Sequence, residues 1–276
     1  MHAYCNKVLQ MNLFSAHGKS SLVDKAKIVG HGLLRHLMNR KGVTPKVYRR
    51  LGFRFLLDGR SHVDRKIIVM NRWEPRQMDF LTKAIAGFRG KGEPVFLDIG
   101  AYFGVYSFLM WRTGVFHRIV AFEADAHNFA QLQANLFLNH ATHAITAQNL
   151  AVSDQDGTVH ILDSTQHPDG NRGGTGFALP DHQGDKFETR AVTIDSHLNL
   201  RGTHIAIKID IEGHEPYALR GMEQTLRKNQ VLLQIEAYES SRAEVFSLLG
   251  EYGLRHVTSI DYDHYFTNIS PAELGC

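Results

Sequence analysis

The sequence predicts an α/β fold, a mostly parallel sheet with helices on both faces and a terminal hairpin closing one edge. Three observations carry this. Residues 94–107 run from a short apolar stretch into the pattern Asp98-x-Gly100-x-x-x-Gly104 and on into an apolar helical segment. Apolar runs of strand length then alternate with helix-length amphipathic stretches along the rest of the chain. Several of those runs end on a carboxylate, at Asp98, Glu123, Asp210 and Glu236.

Residues 1–92 are set apart by charge. They hold 19 Lys+Arg against 5 Asp+Glu, whereas residues 93–276 hold 12 against 23. A basic N-terminal cap of helix and short strands is therefore expected ahead of a domain spanning 93–276. The asymmetry fits either a docking surface for an acidic partner or substrate, or a basic segment packed on an acidic body. Leu22, Ala26, Val29, Leu33 and Leu37 form one stripe of a helix over 20–41, with Ser20 or Ser21 as its N-cap and Gly30 and Gly32 weakening it. A basic amphipathic helix can make peripheral contact with an anionic membrane, although packing on a core is its commoner fate. Residues 47–57 and 66–70 read as short strands. Trp73-Glu74-Pro75 then breaks the chain before a helix over 76–86, and Gly87, Gly90 and Gly92 lead to the central strand.

No apolar run reaches the length of a membrane span, and the N-terminus lacks a signal-peptide core. Cys5 and Cys276 have neither metal-ligand spacing nor the look of a disulfide framework. A cytoplasmic, reducing location is expected.

At the central strand, a glycine turn between strand and helix brings bare backbone against a ligand. Dinucleotide-binding sheets use the same turn. Asp98 would repel a pyrophosphate, however, and suits a cationic or amino-bearing ligand. The next buried strand, 118–122, ends on Glu123, 23 residues beyond Gly100. A nucleotide-binding sheet places an acid there for the ribose, because two neighbouring hydroxyls can each donate to one carboxylate. Asp125 should cap a helix over 127–139 whose apolar face carries Phe129, Leu132 and Leu136. A third strand over 145–152 and a β-pair of 158–162 with 187–194 follow. Between the paired strands, the polar loop 163–186 is either a lid hinged at Gly173, Gly174 and Gly176 or a disordered insertion.

The second constellation is residues 204–216. An apolar strand ends on Asp210, and a helix is expected to start at Pro216, with Glu215 held out of helical geometry by the proline after it. Asp210, Glu212, His214 and Glu215 then share one loop at the carboxyl edge, where open α/β sheets bind ligands. Crowded titratable groups perturb one another and can move a proton. A plainer reading makes Glu215 a cap and pairs Glu212 with Lys208. A helix over 217–228, a buried strand 231–235 ending on Glu236, a helix over 240–252, and strands near 254–258 and 265–269 complete the chain.

Asp98-Ile99-Gly100-Ala101, Gly104, Tyr106-Ser107, Phe122-Glu123, Asn128, Asn135, Asn139, Thr193-Ile194-Asp195 and the block Lys208-Ile209-Asp210-Ile211-Glu212-Gly213-His214-Glu215, with Gly221 and Ile235-Glu236, resemble the FkbM-type methyltransferases in that order. The resemblance covers residues 73–236, and its most specific part is the Lys208–Glu215 block. It implies a Rossmann-like seven-stranded sheet, mostly parallel with one antiparallel hairpin strand, S-adenosylmethionine as cofactor, and O-methylation of a sugar or natural-product hydroxyl. Carried onto this chain, it gives Asp98 and the Gly100–Gly104 backbone to the methionine end, with Ala101, Tyr102 and Tyr106 beside them. Glu123 takes the ribose, and Ala124 and the stretch from Ala151 to Asp154 flank the adenine. Two departures stand out: Tyr102 where the family usually has Asn, and Ala124 where it usually has Pro.

Asp210, Glu212 and His214 are the candidates for the base that accepts the acceptor's proton, with Glu74 and Glu236 as acceptor-binding carboxylates and alternative bases. No spacing rule supports a metal on Asp210, Glu212 and Glu236, and none is expected. The expected acceptor is a small molecule or glycan, acidic or lipid-linked in view of the basic cap. Two other classes compete. A nitrogen or nucleic-acid methyltransferase would draw on that cap, but no nucleic-acid motif is present and Asp210-Ile211-Glu212-Gly213 is unlike the block of base-methylating enzymes. A non-catalytic binder of the same fold would explain Tyr102, but not the retention of Glu123 and the Lys208–Glu215 block.

Overall fold

A computed structural model describes residues 44–166, 171–174, 176–177 and 185–274. The expected helix over 20–41, both cysteines and the middle of the 163–186 loop lie outside these residues. The chain opens with a hairpin of β1 (Lys46–Arg50) and β2 (Phe53–Leu57), followed by α1 (His62–Met70) and α2 (Pro75–Ala84). Strand and helix then alternate through β3 (Val95–Ile99), α3 (Val105–Thr113), β4 (Arg118–Phe122), α4 (Ala126–Leu138) and β5 (Ile145–Gln148). A small excursion contains β6 (Ala151–Val152), β7 (Gly157–Leu162) and β8 (Lys186–Val192). The chain returns through α5 (Ile194–Leu198), β9 (His204–Ile209), α6 (Glu215–Arg220), α7 (Glu223–Lys228), β10 (Gln230–Glu236), α8 (Glu239–Glu251), β11 (Arg255–Ile260) and β12 (Asp263–Thr267).

Seven strands form one sheet in the order β11-β12-β10-β9-β3-β4-β5. The strands from β10 to β5 are parallel, and β12 runs antiparallel between β10 and β11. This is the expected Rossmann-like sheet with its antiparallel hairpin strand. Its central strands are apolar on both faces because helices cover both. Val95, Leu97 and Ile99 face one buried cluster with Ile207, Leu219 and Val245, while Phe96 faces another with Phe55, Leu81 and Phe108. Phe55, Leu57, Ile67, Leu81 and Phe88 of the N-terminal segment thus belong to the same core as the sheet. The change of charge at residue 92 is not a break in packing.

Four local expectations need correction. Residues 66–70 are not a strand but the second half of α1. Asp64, Ile67 and Ile68 are buried at helical spacing, a stripe hidden in the sequence because an aspartate reads as a surface residue. The stretch 145–152 divides, because β6 leaves the main sheet to pair with β8 in a separate sheet ordered β6-β8-β7. Residues 217–228 form two helices, broken at Gly221 and Met222. Glu215 is the first residue of α6 rather than outside it; the proline after it sits in the first turn, where a missing N–H costs nothing. Asp125 caps α4 as expected, accepting from the Asn128 N–H.

The glycine after α6 has a steric reason. A Cβ on Gly221 would lie 1.8 Å from the Ser153 carbonyl oxygen, whereas one on Gly250 in α8 would meet nothing within 4 Å. The same substitution should therefore act with opposite sign. Gly221→Ala is expected to lower stability by more than about 2 kcal/mol. Gly250→Ala should raise it by about 0.5–1 kcal/mol. Urea denaturation of the two variants measures both.

Candidate active site

The strand order turns outward in both directions from β3 and β9, which lie side by side with Asp98 opposite Lys208 and Ile99 opposite Ile209. A crevice opens at the carboxyl ends of strands at such a switch point. The two strand-end turns meet there backbone to backbone. The Asp210 N–H donates to the Ile99 carbonyl at 3.0 Å. Gly100 has φ +83°, and a Cβ on it would fall 1.9 Å from the Asp210 carbonyl oxygen, so no other residue fits. Gly104 has a different task. Its absent Cβ would sit 2.6 Å from Leu132, so it lets α3 start close against α4, and it lines none of the clefts described below. The expectation that the backbone faces the ligand all the way from Gly100 to Gly104 is corrected accordingly.

Two adjoining clefts share Gly100, Tyr102, Gly173 and Asp210 as walls. The first, open to solvent, spans about 550 Å³. Phe122, Ala124, Leu150, Ala151, Ile161 and Phe177 make it largely apolar, and Glu123 and Glu212 add carboxylates. Glu123 accepts from the Tyr102 N–H at 2.7 Å and the Asp125 N–H at 2.9 Å. Burial pushes its pKa up to about 7 against these hydrogen bonds. Tyr102 itself has φ +51°. Its hydroxyl donates to Asp64 of α1 and meets Ser61, both at 2.7 Å. Tyr102 thus ties the glycine turn to the N-terminal segment.

The second cleft, of about 470 Å³, is lined by Asp98, Ala101, Tyr106 and Lys208 beside the shared walls. Asp98 accepts from the Ser107 N–H at 2.9 Å and the Ser107 hydroxyl at 2.6 Å, while burial raises its pKa. One carboxylate oxygen therefore anchors the start of α3.

Beyond Lys208 lies a dense polar network that the sequence did not announce. The buried Lys208 ammonium meets Asp210 at 2.7 Å and lies 4.7 Å from the centre of the Tyr106 ring. Burial works to lower its pKa, but Asp210, Glu74 and Asp263 together raise it. Asp210 is the partner of Lys208, a pairing expected for Glu212. Tyr106 donates to Glu74, and Gln234 donates to Tyr106 and to Asp263. Lys208 was visible as part of a strand motif; Asp263, in a distant hairpin, had no local signal.

Asp210, Glu212 and Glu236 present carboxylate oxygens within 4.8 Å of one another. Burial and the neighbouring charge of Asp210 push Glu236 up to about 9. Burial works against ionisation of Asp210 too, but Lys208 holds it below its ordinary range. Of the two, Glu236 is the one driven toward its protonated form. Burial with Asp210 and Glu215 raises Glu212 to about 7. Such a group can pass a proton, and its three oxygens could also grip a divalent cation. Glu74 and Glu236 line a third and larger cleft, of about 920 Å³.

Besides Gly104, two predicted site residues are not brought to these clefts. Asp154 is exposed and accepts from the Ser153 hydroxyl at 3.1 Å. His214 stacks between Phe177, at 3.6 Å, and Tyr217, at 4.6 Å, and its Nε2 lies 2.9 Å from the Ser153 hydroxyl. Burial lowers its pKa to about 4. A ring so placed pins the Phe177 segment to the strand-end loop and is a poor base. Glu215, expected as a cap, accepts instead from the N–H groups of Ile211 and Gly213, both at 3.2 Å, and so shapes the loop. Arg172, unremarked in the sequence, is buried beside the first cleft, with its guanidinium 2.7 Å from Gln131 and 3.5 Å from Asp64.

A mostly parallel sheet with a glycine turn and strand-end acids at its switch point is the arrangement in which open α/β sheets bind ligands. The model of the methyltransferase FkbM domain matches residues 98–256. The chain belongs to the FkbM methyltransferase family. Among solved structures it resembles methyltransferase FkbM from Methylobacillus flagellatus KT, with 19% identity, coverage of 87% of this chain and 60% of that one, and a TM-score of 0.44. The chain thus spans 60% of the length of that protein. The METTL16 MTase domain follows at 11% identity, 97% and 90% coverage and a TM-score of 0.42. M. jannaschii TYW2 in complex with AdoMet gives 12% identity, 82% and 84% coverage and a TM-score of 0.39. No curated protein matches the chain. No helix among the described residues is long and apolar enough to cross a membrane.

The His214 stack makes a prediction about stability. A histidine whose folded pKa lies below its unfolded value stabilises the neutral form, fully above about 6.5, and loses that contribution as pH falls toward 4. The stability advantage of the wild type over His214→Phe should shrink by about 1 kcal/mol between pH 7 and pH 5. Urea melts at the two pH values test this, and an unchanged difference would mean that the ring is protonated in place.

Proposed function

We propose that the chain is an S-adenosylmethionine-dependent O-methyltransferase acting on a hydroxyl of a sugar or natural product. The observation that carries the reading is the joined pair of clefts, an apolar slot with Glu123 at its edge opening past Gly100 into a chamber walled by Asp98 and Asp210. The residues fit the cofactor's chemistry. The apolar walls suit an adenine, and the carboxylates favour a cation over a pyrophosphate.

In this reading Glu123 takes the ribose hydroxyls, Ala124 and Ala151 flank the adenine, and Asp98, Ala101, Tyr102 and Tyr106 surround the methionine end. The cofactor supplies an electrophilic methyl on a sulfonium. The protein's main contribution is to hold the acceptor oxygen in line behind that methyl. Glu212 lines the cofactor cleft, and its pKa near 7 matches a base working at neutral pH. Asp210, kept ionised by Lys208, orients the acceptor and stabilises positive charge near the sulfur. Glu236, whose pKa burial and Asp210 raise, serves as a hydrogen-bond donor to the acceptor, with Glu74 beside it.

Isothermal titration should give micromolar binding of S-adenosylmethionine, weakened at least about tenfold in Glu123→Ala; tighter binding of NAD would sink the assignment. With an acceptor in hand, Glu212→Gln should lower kcat by about a hundredfold to ten-thousandfold while cofactor affinity stays within about threefold. Wild-type kcat should fall as pH drops through about 7, where Glu212 takes up a proton. A flat profile would move the base to Asp210.

A further inference from the structure

We propose that the acceptor is anionic, seated with its hydroxyl against the inner carboxylates of the third cleft and its negative group at the rim, on Lys66 and Arg72. This rests on the reading of the acceptor side given above. The cleft separates its charges. Glu74, Glu236 and Asp263 line it together with Lys66, Arg72 and Arg76. The inner acids are already engaged: Glu74 by Tyr106, Asp263 by Gln77 and Gln234, and both by the field of Lys208. Carboxylates so arranged still accept from hydroxyls.

The cations differ from one another. Arg76 is spent on Asp261 at 3.2 Å. The Lys66 ammonium lies 4.8 Å from the centre of the Trp73 ring and Arg72 is exposed, and among the described residues neither meets a carboxylate. The ring holds the ammonium at the rim without neutralising it. A neutral polyol would leave these two charges unused, and a cationic acceptor would be repelled by them. Tyr262, exposed in the same cleft, offers a face on which a sugar ring can stack. A sugar acid and a sugar phosphate share the required chemistry, a hydroxyl and an anion on one polar ring.

The test uses the full chain saturated with S-adenosylhomocysteine, so that binding is read without turnover. Glucose, glucuronic acid and glucose 6-phosphate are titrated by saturation-transfer NMR at low and high salt. At least one acidic sugar should bind roughly tenfold or more tightly than glucose, with the advantage shrinking in high salt. The combined variant Lys66→Gln, Arg72→Gln should lose the advantage while keeping its affinity for S-adenosylhomocysteine. Which acid binds better tells carboxylate from phosphate. Equal binding of all three, no binding of either acid, or a preference that survives in the variant would overturn the proposal. Failure of S-adenosylhomocysteine to bind would instead overturn the cofactor reading.

Discussion

The contact on which the site depends is between two stretches of main chain. The turn after β3 lies against the turn after β9 so closely that the Asp210 carbonyl occupies the space a side chain at position 100 would need. That approach fixes Asp210, and with it the acid loop, relative to the glycine turn. A side chain there would part the two turns and open the junction between the clefts. The hydrogen bond from Asp210 to Ile99 holds the same distance from the other side. Site geometry is thus set by backbone, which tolerates little adjustment, rather than by flexible side chains.

Around this junction the charges are ordered by a single buried cation. Lys208 stands on the sheet between Asp98 and Gln234 in register. Six carboxylates, Glu74, Asp98, Asp210, Glu212, Glu236 and Asp263, feel its charge. Burying an unpaired ammonium is costly, and so is burying those acids alone; together they offset each other. The result is graded. Asp210, in direct contact, stays ionised, while Glu236 and Glu212 keep raised pKa values.

Sequence reasoning read the strands well, because alternating apolar runs that end on acids report both burial and edge position. It also brought Gly100 and Glu123 to one cleft at the strand ends, since both stand in a local pattern. It failed where contacts are long-range. Asp263 joins Lys208 across the antiparallel hairpin, and Asp64 reaches Tyr102 from a helix 38 positions away; neither pairing leaves a spacing. His214 misled for the opposite reason. Its position beside Asp210 is right, but the aromatic neighbours that keep it neutral, Phe177 and Tyr217, come from different segments. A lone residue type in a loop does not reveal its microenvironment.

The family match stops at residue 256, and it begins at 98. The folding unit is wider on both sides. β12, which covers the flank of β10, lies wholly beyond the matched stretch, and Phe55, Leu57, Ile67, Leu81 and Phe88 fill the core from before it. A fragment cut to the matched boundaries would bare a parallel strand along its hydrogen-bonding edge and strip part of the cover from one face of the sheet. Such an edge recruits other chains. The stretch that matches the family and the stretch that packs as one core are therefore different lengths of the same polypeptide.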